Sequence, residues 1–443
     1  MPNLARLPIS GSDVNTWSDI LNRQITQTTS SANGAFNTFN QFSTRPTSLT
    51  ADDAGKTYLY TQTGNLHEWS GTEWKVYDTN GVINIKDYGV KCDNSDEGDA
   101  LQNVVNLTPD GGTLIITGKI VSSKPINISK KIRIDGFTNY IIFTSSNGFK
   151  IGSSTGVLIG VTIQNINIQS YPFFEINQNN NFCGIEVFGS INNKSFNHLY
   201  ENIFCDGFET AFRGNYIWSS NWNNFSTGRG KNGIMIHGQS VNNSILGCTI
   251  NCSETNTLNS VGIGIFGDSL GAVISDNFTE GVMIANCLIA FFETNILCIG
   301  SNHNYINNNI IDFSKKFGIR CVSNAIINGS GHTINSNWIA LDGDGAVGIK
   351  GENNFTLTND DGMRVSNNHF YAYSTRQVET GIDFSGTNKF HDIITGNTFD
   401  GLGSFKNGII GHTGGHQIAT SNSMHGAGFT TKIKNIDILM ANY

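Results

Sequence analysis

The segment YINNNII, residues 305–311, returns with small changes as TINSNWI at 333–339, RVSNNHF at 364–370 and IITGNTF at 393–399. Each copy has an apolar residue three positions before a central residue, usually Asn, and another two positions after it. The copies are Leu199/Asn202/Phe204, Ile245/Cys248/Ile250, Met283/Asn286/Leu288, Ile306/Asn309/Ile311, Ile334/Asn337/Ile339, Val365/Asn368/Phe370, Ile394/Asn397/Phe399 and Ala419/Asn422/Met424. From Asn286 onward the central residues are 23, 28, 31, 29 and 25 positions apart. An internal repeat of this length predicts a solenoid.

A second repeat follows the first by about ten residues and keeps step with it. Its copies are Gly184-Ile185, Gly233-Ile234, Gly262-Ile263, Gly318-Ile319, Gly348-Ile349, Gly381-Ile382 and Gly408-Ile409. Apolar residues alternate in these segments, which is typical of strands and excludes helical repeats. The period is also shorter than the roughly 40–45 residues of a propeller blade. We therefore predict an all-β chain forming a right-handed parallel β-helix of roughly ten coils, with equivalent Asn side chains stacked in a column.

Composition restricts the function. Charged residues make up 14% of the chain and the net charge is −8, so the Lys/Arg surface that nucleic acid requires is not expected. The chain contains no stretch of 18 apolar residues, so membrane insertion is not expected. The first residues lack an apolar signal sequence, so we expect synthesis and assembly in a cytoplasm. The eight cysteines are scattered and read as reduced core residues. We expect no cofactor and no metal.

The chain before the repeats divides into shorter segments. Residues 1–45 are predicted to form a leader helix, with helical spacing from about 12 to 25, and a linker. Residues 46–80 alternate apolar and polar side chains between Gly-containing turns, which predicts a small β-meander module. A helix around Ala100–Val105 is expected to cap the β-helix of residues 81–425, and residues 426–443 form a short C-terminal segment.

Two stretches resemble known proteins. Asn84-Ile85-Lys86-Asp87-Tyr88-Gly89-Val90-Lys91, followed by Ala100-Leu101-Gln102 and Gly111-Gly112-Thr113-Leu114, is similar to the start of pectate-lyase-type β-helices of bacteriophage tailspikes. The loop at residues 92–97 departs from that family's usual Gly/Asp-rich sequence. Residues 7–22 and 52–77 resemble leaders and small modules of phage tail proteins. The resemblance implies a homotrimer in the virion tail that contacts other tail, baseplate or adaptor proteins through residues 1–80.

Catalytic candidates are carboxylates that follow the Asn repeat, where loops leave the coil. Glycoside hydrolysis needs two of them about 5–10 Å apart, and adjacent coils could supply them. The candidates are Glu209, Glu293, Asp206 and Asp312, with Glu209 and Glu293 both seven residues past the repeat. A lyase would instead use a base near a cation, for which Arg229, Lys231 and His237 are candidates. Each of these residues could equally be an ordinary turn residue.

Sugar binding has the clearer sequence signal, because aromatic faces stack on sugar rings while amides bond hydroxyls. The predicted substrate-binding residues are Tyr216, Trp218, Trp222 and Trp338, the first three within an Asn- and Ser-rich stretch. The favoured hypothesis is a phage receptor-binding spike that recognises host surface polysaccharide, either lipopolysaccharide or capsule, and could depolymerise it as a glycosidase. The alternatives are a binding-only adhesin and a polysaccharide lyase or secreted hydrolase.

Overall fold

The computed structural model describes most of the 443-residue chain. The described residues are 37–39, 44–60, 65–77, 81–152, 156–173, 181–252, 258–267, 279–323, 331–353, 362–386, 392–412, 417–425, 428–436 and 438–440. The chain divides into two compact units, Met1–Lys91 and Cys92–Tyr443. The predicted leader helix at residues 12–25 lies outside the described residues.

The first unit contains a small four-stranded sheet. Its strands are Asn37–Phe39, Thr57–Tyr60, Asn65–Trp69 and Trp74–Tyr77. The last three are antiparallel neighbours, as expected for a β-meander, whereas the first pairs in parallel with the second. This unit also contains two 3₁₀ helices, Ala51–Asp53 and Ile85–Tyr88, and the strand Val82–Asn84.

The second unit begins with the predicted helix, which spans Gly98–Leu107. Its apolar face consists of Leu101, Val104 and Val105, all buried. Gln102 fixes the helix to the first coils, since its side chain accepts a hydrogen bond from the Asn127 amide at 2.7 Å and donates one to the Asn127 carbonyl at 3.0 Å. Among the described residues no helix is long and apolar enough to cross a membrane.

The rest of the second unit is built from parallel strands in two long sheets. The larger sheet contains Thr113–Ile115, Ile120–Ser122, Arg133–Asp135, Tyr140–Thr144, Thr162–Tyr171, Leu199–Asp206, Asn221–Thr227, Ser244–Leu246, Thr249–Asn251, Met283–Ala285, Leu288–Ala290, Tyr305–Asn307, Ile310–Ser314, Thr333–Asn335, Trp338–Leu341, Arg364–Ser366, His369–Ala372, Ile393–Thr395, Thr398–Gly401, Ile418–Thr420, Ser423–Met424 and Ile438–Met440. The smaller sheet has 12 strands: Ile126–Ile128, Phe149–Gly152, Cys183–Phe188, Thr210–Asn215, Asn232–His237, Val261–Phe266, Thr294–Ile299, Phe317–Ser323, Val347–Asn353, Gln377–Gly386, Ser404–Ile410 and Thr431–Lys434. Short strands at Leu158–Ile159, Ser195–Phe196, Ile217–Trp218, Thr279–Glu280 and Ser301–Asn302 complete the described part of the unit.

Each strand pairs with the equivalent strand of the next repeat. Ile306, Ile334, Val365 and Ile394 occupy one position in successive strands, and all are fully buried. Equivalent residues therefore stack in columns along the axis, and successive residues in a column lie about 4.8 Å apart. This arrangement confirms the predicted parallel β-helix.

The Asn repeat forms the predicted column of buried amides. The Asn337 side-chain oxygen accepts hydrogen bonds from the Asn309 amide at 3.0 Å and the Asn309 Nδ2 at 2.9 Å. Asn368, Asn397 and Asn422 continue the same pattern at 2.9–3.1 Å. These side chains are at most 1% exposed, so the column satisfies backbone and side-chain groups that water does not reach.

Two members of the predicted column were assigned one residue too early. Cys287, not Asn286, lies beside Asn309, whose Oδ1 accepts from the Cys287 amide at 2.9 Å. Likewise Ile203, not Asn202, occupies the inward position of its coil. Asn286 and Asn202 are exposed turn residues with left-handed backbone, φ 57° and 51°. Asn is favoured in such turns as well as in the column, so the residue type alone could not separate the two positions.

A second polar column lies five residues before the first and was not predicted. Its side chains accept hydrogen bonds from the backbone amide of the preceding coil: His198 from Val161 at 3.1 Å, Asn304 from Val282 at 3.1 Å and His332 from Asn304 at 3.3 Å. Burial lowers the pKa of His198 and of His332 to about 4. Both imidazoles are therefore neutral acceptors in the folded protein at neutral pH.

These buried histidines predict acid-sensitive stability. Because their folded pKa of about 4 lies below the ordinary 6.5, the unfolded chain takes up protons first as the pH falls. Stability is then complete above pH 6.5 and decreases towards pH 4, by about 3 kcal/mol for each histidine. Replacing His332 with Asn, the residue at position 304 of the same column, should reduce the acid loss of stability by about 3 kcal/mol. Urea unfolding at pH 7 and pH 4.5 measures it, with the exposed His425→Asn as control; an unchanged acid loss in His332→Asn would contradict the assignment.

Candidate functional site

Glu209 and Glu293 lie in one column but not in adjacent coils. The residues that follow them, Thr210 and Thr294, are separated by Asn232 and Val261 in the intervening strands. Three coils at about 4.8 Å place the two glutamates roughly 14 Å apart, too far for a glycosidase pair. The prediction that they act together across one bond is therefore wrong. Each faces a lysine instead: Glu209 is 3.9 Å from Lys231 and Glu293 is 3.3 Å from Lys316.

Asp206 is a structural carboxylate. It is 4% exposed, and its oxygens accept hydrogen bonds from the Arg229 amide at 2.6 Å and from the Arg229 guanidinium. The same guanidinium lies 3.3 Å from the centre of the Phe173 ring. Because Asp206 and Glu209 occupy Arg229 and Lys231, and His237 stacks on Phe266 at 4.5 Å, none of the three lyase candidates is an isolated base or cation.

The aromatic stretch at residues 216–225 is mostly internal. Trp222 is fully buried and stacks on Tyr200 with ring centroids 5.4 Å apart, while Tyr216 is 5% exposed. In strand Asn221–Thr227 the left-handed backbone of Asn224, φ 51°, interrupts the alternation, so both Trp222 and Phe225 point into the core. Trp222 and Tyr216 are therefore wrong as stacking platforms for a glycan. Trp218 is half-buried, with its indole N–H bonded to the Gln239 carbonyl at 2.7 Å and Lys194 over its ring at 4.0 Å. A binding role for Trp218 stays a prediction.

The structure brings Trp338 and Asp312 to one place on the outer face of the larger sheet. Around them lies a group of rings that we call the aromatic cluster: Phe291, Phe313, Trp338, His369, Tyr371 and Tyr373. Trp338 and His369 are register partners in adjacent strands, and their inward neighbours Ile339 and Phe370 are fully buried. The alternation of the strands thus separates an apolar core from an aromatic exterior.

Two stacks make up the aromatic cluster. Phe291, Phe313 and Tyr373 stack in order, with centroids 4.6 and 4.8 Å apart. Trp338 stacks on His369 at 4.5 Å and on Tyr371 at 5.4 Å. Tyr371 and Tyr373 meet edge to face at 5.4 Å and join the two stacks. Trp338 is 37% exposed and the other five rings are partly exposed, which leaves aromatic surface available to a ligand.

Two rings of the aromatic cluster lie on left-handed backbone. Phe291 and Phe313 adopt left-handed backbone with φ of 69° and 47°, a conformation usually left to Gly or Asn. Each costs roughly 1–2 kcal/mol relative to an extended or helical backbone. Phe137 and Tyr216 elsewhere in the chain share this conformation, so the backbone explains how the two rings are held but does not by itself mark a functional site.

Charged groups border the aromatic cluster and are themselves fixed. The Tyr373 hydroxyl donates to Asp312 at 2.7 Å, and burial, assisted by this hydrogen bond, raises the pKa of Tyr373. Asp342 forms ion pairs with Lys315 and, at 3.1 Å, with Arg376. Partial burial acts to raise the pKa of Asp342, but the two cations outweigh it and the pKa lies below its ordinary value. Burial also lowers the pKa of His369, so its ring is neutral at neutral pH.

The aromatic cluster combines exposed ring faces with fixed polar groups, an arrangement suited to ligand binding. Where a carboxyl group in the described part of the chain has a resolved shift, at Asp53, Asp96 and Asp342, the pKa is lowered. A glycosidase acid requires the opposite shift. Within the same residues no group of three or more His, Cys, Asp or Glu side chains could hold a metal ion. Aromatic faces with fixed polar neighbours are instead typical of sugar recognition.

The sequence could have indicated the five cluster residues other than Trp338. Once the repeats are aligned, Trp338 and His369 occupy the position after the buried Asn, and Tyr371 lies two residues further on. Phe291 and Tyr373 directly follow strands, and Phe313 lies near the end of strand Ile310–Ser314. In the sequence the six rings show no regular spacing, because the segments between the repeats differ in length. Only the register of the strands places them together.

Comparison with known proteins supports the fold. The sequence matches no protein family model, and no curated protein matches it. Among solved structures, DFA-IIIase from Arthrobacter chlorophenolicus A6 in complex with DFA-III is 10% identical, with a TM-score of 0.53 over 78% of this chain and 95% of that one. PfbA, a surface adhesin of Streptococcus pneumoniae, is 14% identical, with a TM-score of 0.51 over 80% of this chain and 91% of that one.

A third similar structure, Geobacillus virus E2 ORF18, is 15% identical and covers 88% of this chain and 75% of its own. Its TM-score of 0.40 is too low to support an inference about this chain. The identities to the first two structures lie far below those that transfer function. The TM-scores of these two structures show that this chain shares their fold.

Proposed function

We propose that this protein binds carbohydrate through the aromatic cluster and serves as a phage tail receptor-binding protein for a host surface polysaccharide. The observation that carries the proposal is the joining of six rings, from four strands or the turns after them, on one outer face of a buried-core solenoid. Packing of the apolar core does not require aromatic rings on the outer face, whereas stacked, exposed rings can bind the C–H faces of sugars.

The phage role is supported by the sequence. The segment 84–91 and the N-terminal stretches at 7–22 and 52–77 resemble those of tailspikes and other tail proteins. A related fold also serves in a surface adhesin, so binding without cleavage is compatible with this architecture. Residues 1–80 would attach the protein to other tail, baseplate or adaptor proteins, as the resemblance implies.

Binding is tested with the variant Trp338→Ala. Removing the most exposed ring of the cluster should weaken binding to an array of bacterial surface polysaccharides by about tenfold or more, equivalent to about 1.4 kcal/mol of lost stacking. The fold should be retained because Trp338 lies outside the core. Tyr140→Ala, which removes an exposed ring from a distant coil of the same sheet, is the matched control and should bind normally. Equal binding by wild type and Trp338→Ala would contradict the proposal.

Cleavage is separated from binding by a second readout. Incubation of the bound polysaccharide with the protein, followed by a reducing-end assay, detects hydrolysis, while new ultraviolet absorbance from unsaturated sugars detects a lyase. We expect neither signal, because Glu209 and Glu293 lie three coils apart and the carboxyl groups with a resolved shift in the described residues have a lowered pKa. The appearance of reducing ends would add depolymerase activity and return Asp312, which contacts the cluster through Tyr373, to consideration.

The trimer implied by the resemblance is part of the proposal. Sedimentation equilibrium of the full chain should give three times 48.2 kDa. A monomeric mass at low micromolar concentration would refute the predicted trimer but would not contradict carbohydrate binding by the aromatic cluster.

A further inference from the structure

The aromatic cluster has an asymmetric charge environment. Four carboxylates border it: Asp312 bonds Tyr373, Asp342 lies between Lys315 and Arg376, Asp344 is 3.9 Å from Arg376, and Asp400 is the register partner of Tyr371. Two cations, Lys315 and Arg376, belong to the same group. The sum of these six side chains is a charge of −2.

The two cations are already engaged by protein carboxylates. Lys315 and Arg376 both contact Asp342, and their side chains are 33% and 35% exposed. An anionic ligand would either compete with Asp342 for these cations or bind their remaining N–H groups beside a carboxylate that repels it. The imidazole of His369 adds no charge, because burial lowers its pKa and leaves it neutral.

The carboxylates, in contrast, are available to repel an anion. Asp400 is exposed and directly follows the buried Phe399, so it faces outward beside Tyr371. Asp344 is also exposed, with 68% of its side chain accessible. The exposed Arg364 lies on the neighbouring strand beyond the turn residue Asn367, and even with it the sum stays negative.

We infer that the aromatic cluster selects glycans without carboxylate, phosphate or sulfate groups, either neutral hexose polymers or chains carrying free amino sugars. This inference rests on the proposed carbohydrate binding and specifies its ligand class. Stacking supplies contact to any sugar ring, whereas the surrounding negative charge discriminates against acidic ones. Uronic acid and sialic acid polymers are thereby excluded as ligands of this face.

The test uses an array of defined bacterial polysaccharides, neutral and acidic, in which each uronic-acid polymer is also present after chemical reduction of its carboxyl groups. At low salt we expect binding to non-acidic members, and at least about tenfold tighter binding to a reduced polymer than to its acidic parent. The variant Asp400→Asn should strengthen binding to acidic members severalfold and leave neutral members unchanged. Glu201→Gln, the same charge change on a distant coil of the same sheet, should have no effect.

The outcomes separate the two claims. Preferential binding to acidic polymers that Trp338→Ala abolishes would overturn the charge selection and keep the carbohydrate-binding proposal. Equal affinity for reduced and acidic forms, with Asp400→Asn silent, would also overturn it. Absence of binding to every array member would refute the proposed function, and the inference would fall with it.

Discussion

Asn337→Ala should destabilise the protein by about 3–5 kcal/mol. The substitution removes the oxygen that accepts from both the backbone amide and the Nδ2 of Asn309, and the Nδ2 that donates to the Ile306 carbonyl at 2.9 Å. The Asn309 amide and the Ile306 carbonyl then lose these partners, and the Asn309 Nδ2 keeps only its bond to the Ile284 carbonyl. Each buried group left unpaired costs about 1–3 kcal/mol. No water can replace the lost bonds without a cavity polar enough to hold it.

Two variants at the same turn provide controls for this prediction. Ser336→Gly changes the preceding residue, which is exposed and has a φ of 57°, and should leave the unfolding midpoint nearly unchanged. Asn337→Cys should lie between them, because Cys287 occupies this column naturally and its sulfur accepts from the Cys248 amide at 3.4 Å. Urea unfolding followed by circular dichroism measures all three. Equal midpoints for wild type and Asn337→Ala would show that the column does not stabilise the fold.

Gly348→Ala should be about as harmful, at about 3 kcal/mol or more, although it adds a single methyl group. A Cβ at this position would lie 2.5 Å from the Gly381 carbonyl oxygen and 2.6 Å from the Phe370 ring. Neither can move far, because Gly381 belongs to the next strand and Phe370 is fully buried. Overpacking against fixed neighbours forces the strands apart.

The control for steric crowding is Gly156→Ala. A Cβ at Gly156 meets nothing within 4 Å and its backbone is not left-handed, so the variant should be as stable as the wild type. Thermal unfolding of both variants decides the matter. A Gly348→Ala protein that melts with the wild type would mean that the two sheets are less tightly packed than the close approach of these strands indicates.

The repeat was readable from the sequence because a column imposes the same demand on every coil. Ile319, Ile349, Ile382 and Ile409 recur since each must fill the same fully buried position, and the glycine before each recurs since the next strand lies too close for a side chain. Such constraints act on residue type and produce a visible period. The Asn column was readable for the same reason, apart from its off-by-one errors at Asn286 and Asn202.

The second polar column was not predicted because several residue types occupy its positions. His198, Ser220, Asn243, Asn304, His332 and Asp392 all present an acceptor to the preceding coil. The requirement is for a hydrogen-bond acceptor of moderate length, which several side chains meet. A pattern search based on one residue type cannot detect it.

The site was predicted least well, for a physical reason. Aromatic residues serve equally in a core and on a binding face, and only the inward or outward phase of the strand separates the two uses. Trp222 and Trp338 both lie beside Asn, yet Trp222 points into the core and Trp338 points out. The carboxylates were misjudged for a related reason, since an equal offset from the repeat places Glu209 and Glu293 in one column without placing them in adjacent coils.

The most direct test of the proposed binding face is hydroxyl-radical footprinting of the full chain, free and saturated with a polysaccharide that it binds on the array. The exposed rings of the aromatic cluster, above all Trp338, Tyr371 and Phe313, should be oxidised several times more slowly in the complex. Tyr140 and Tyr305, which are exposed but lie outside the cluster, should react at the same rate in both states. Protection of Trp218 with unchanged oxidation of Trp338 would place the ligand elsewhere and contradict the account.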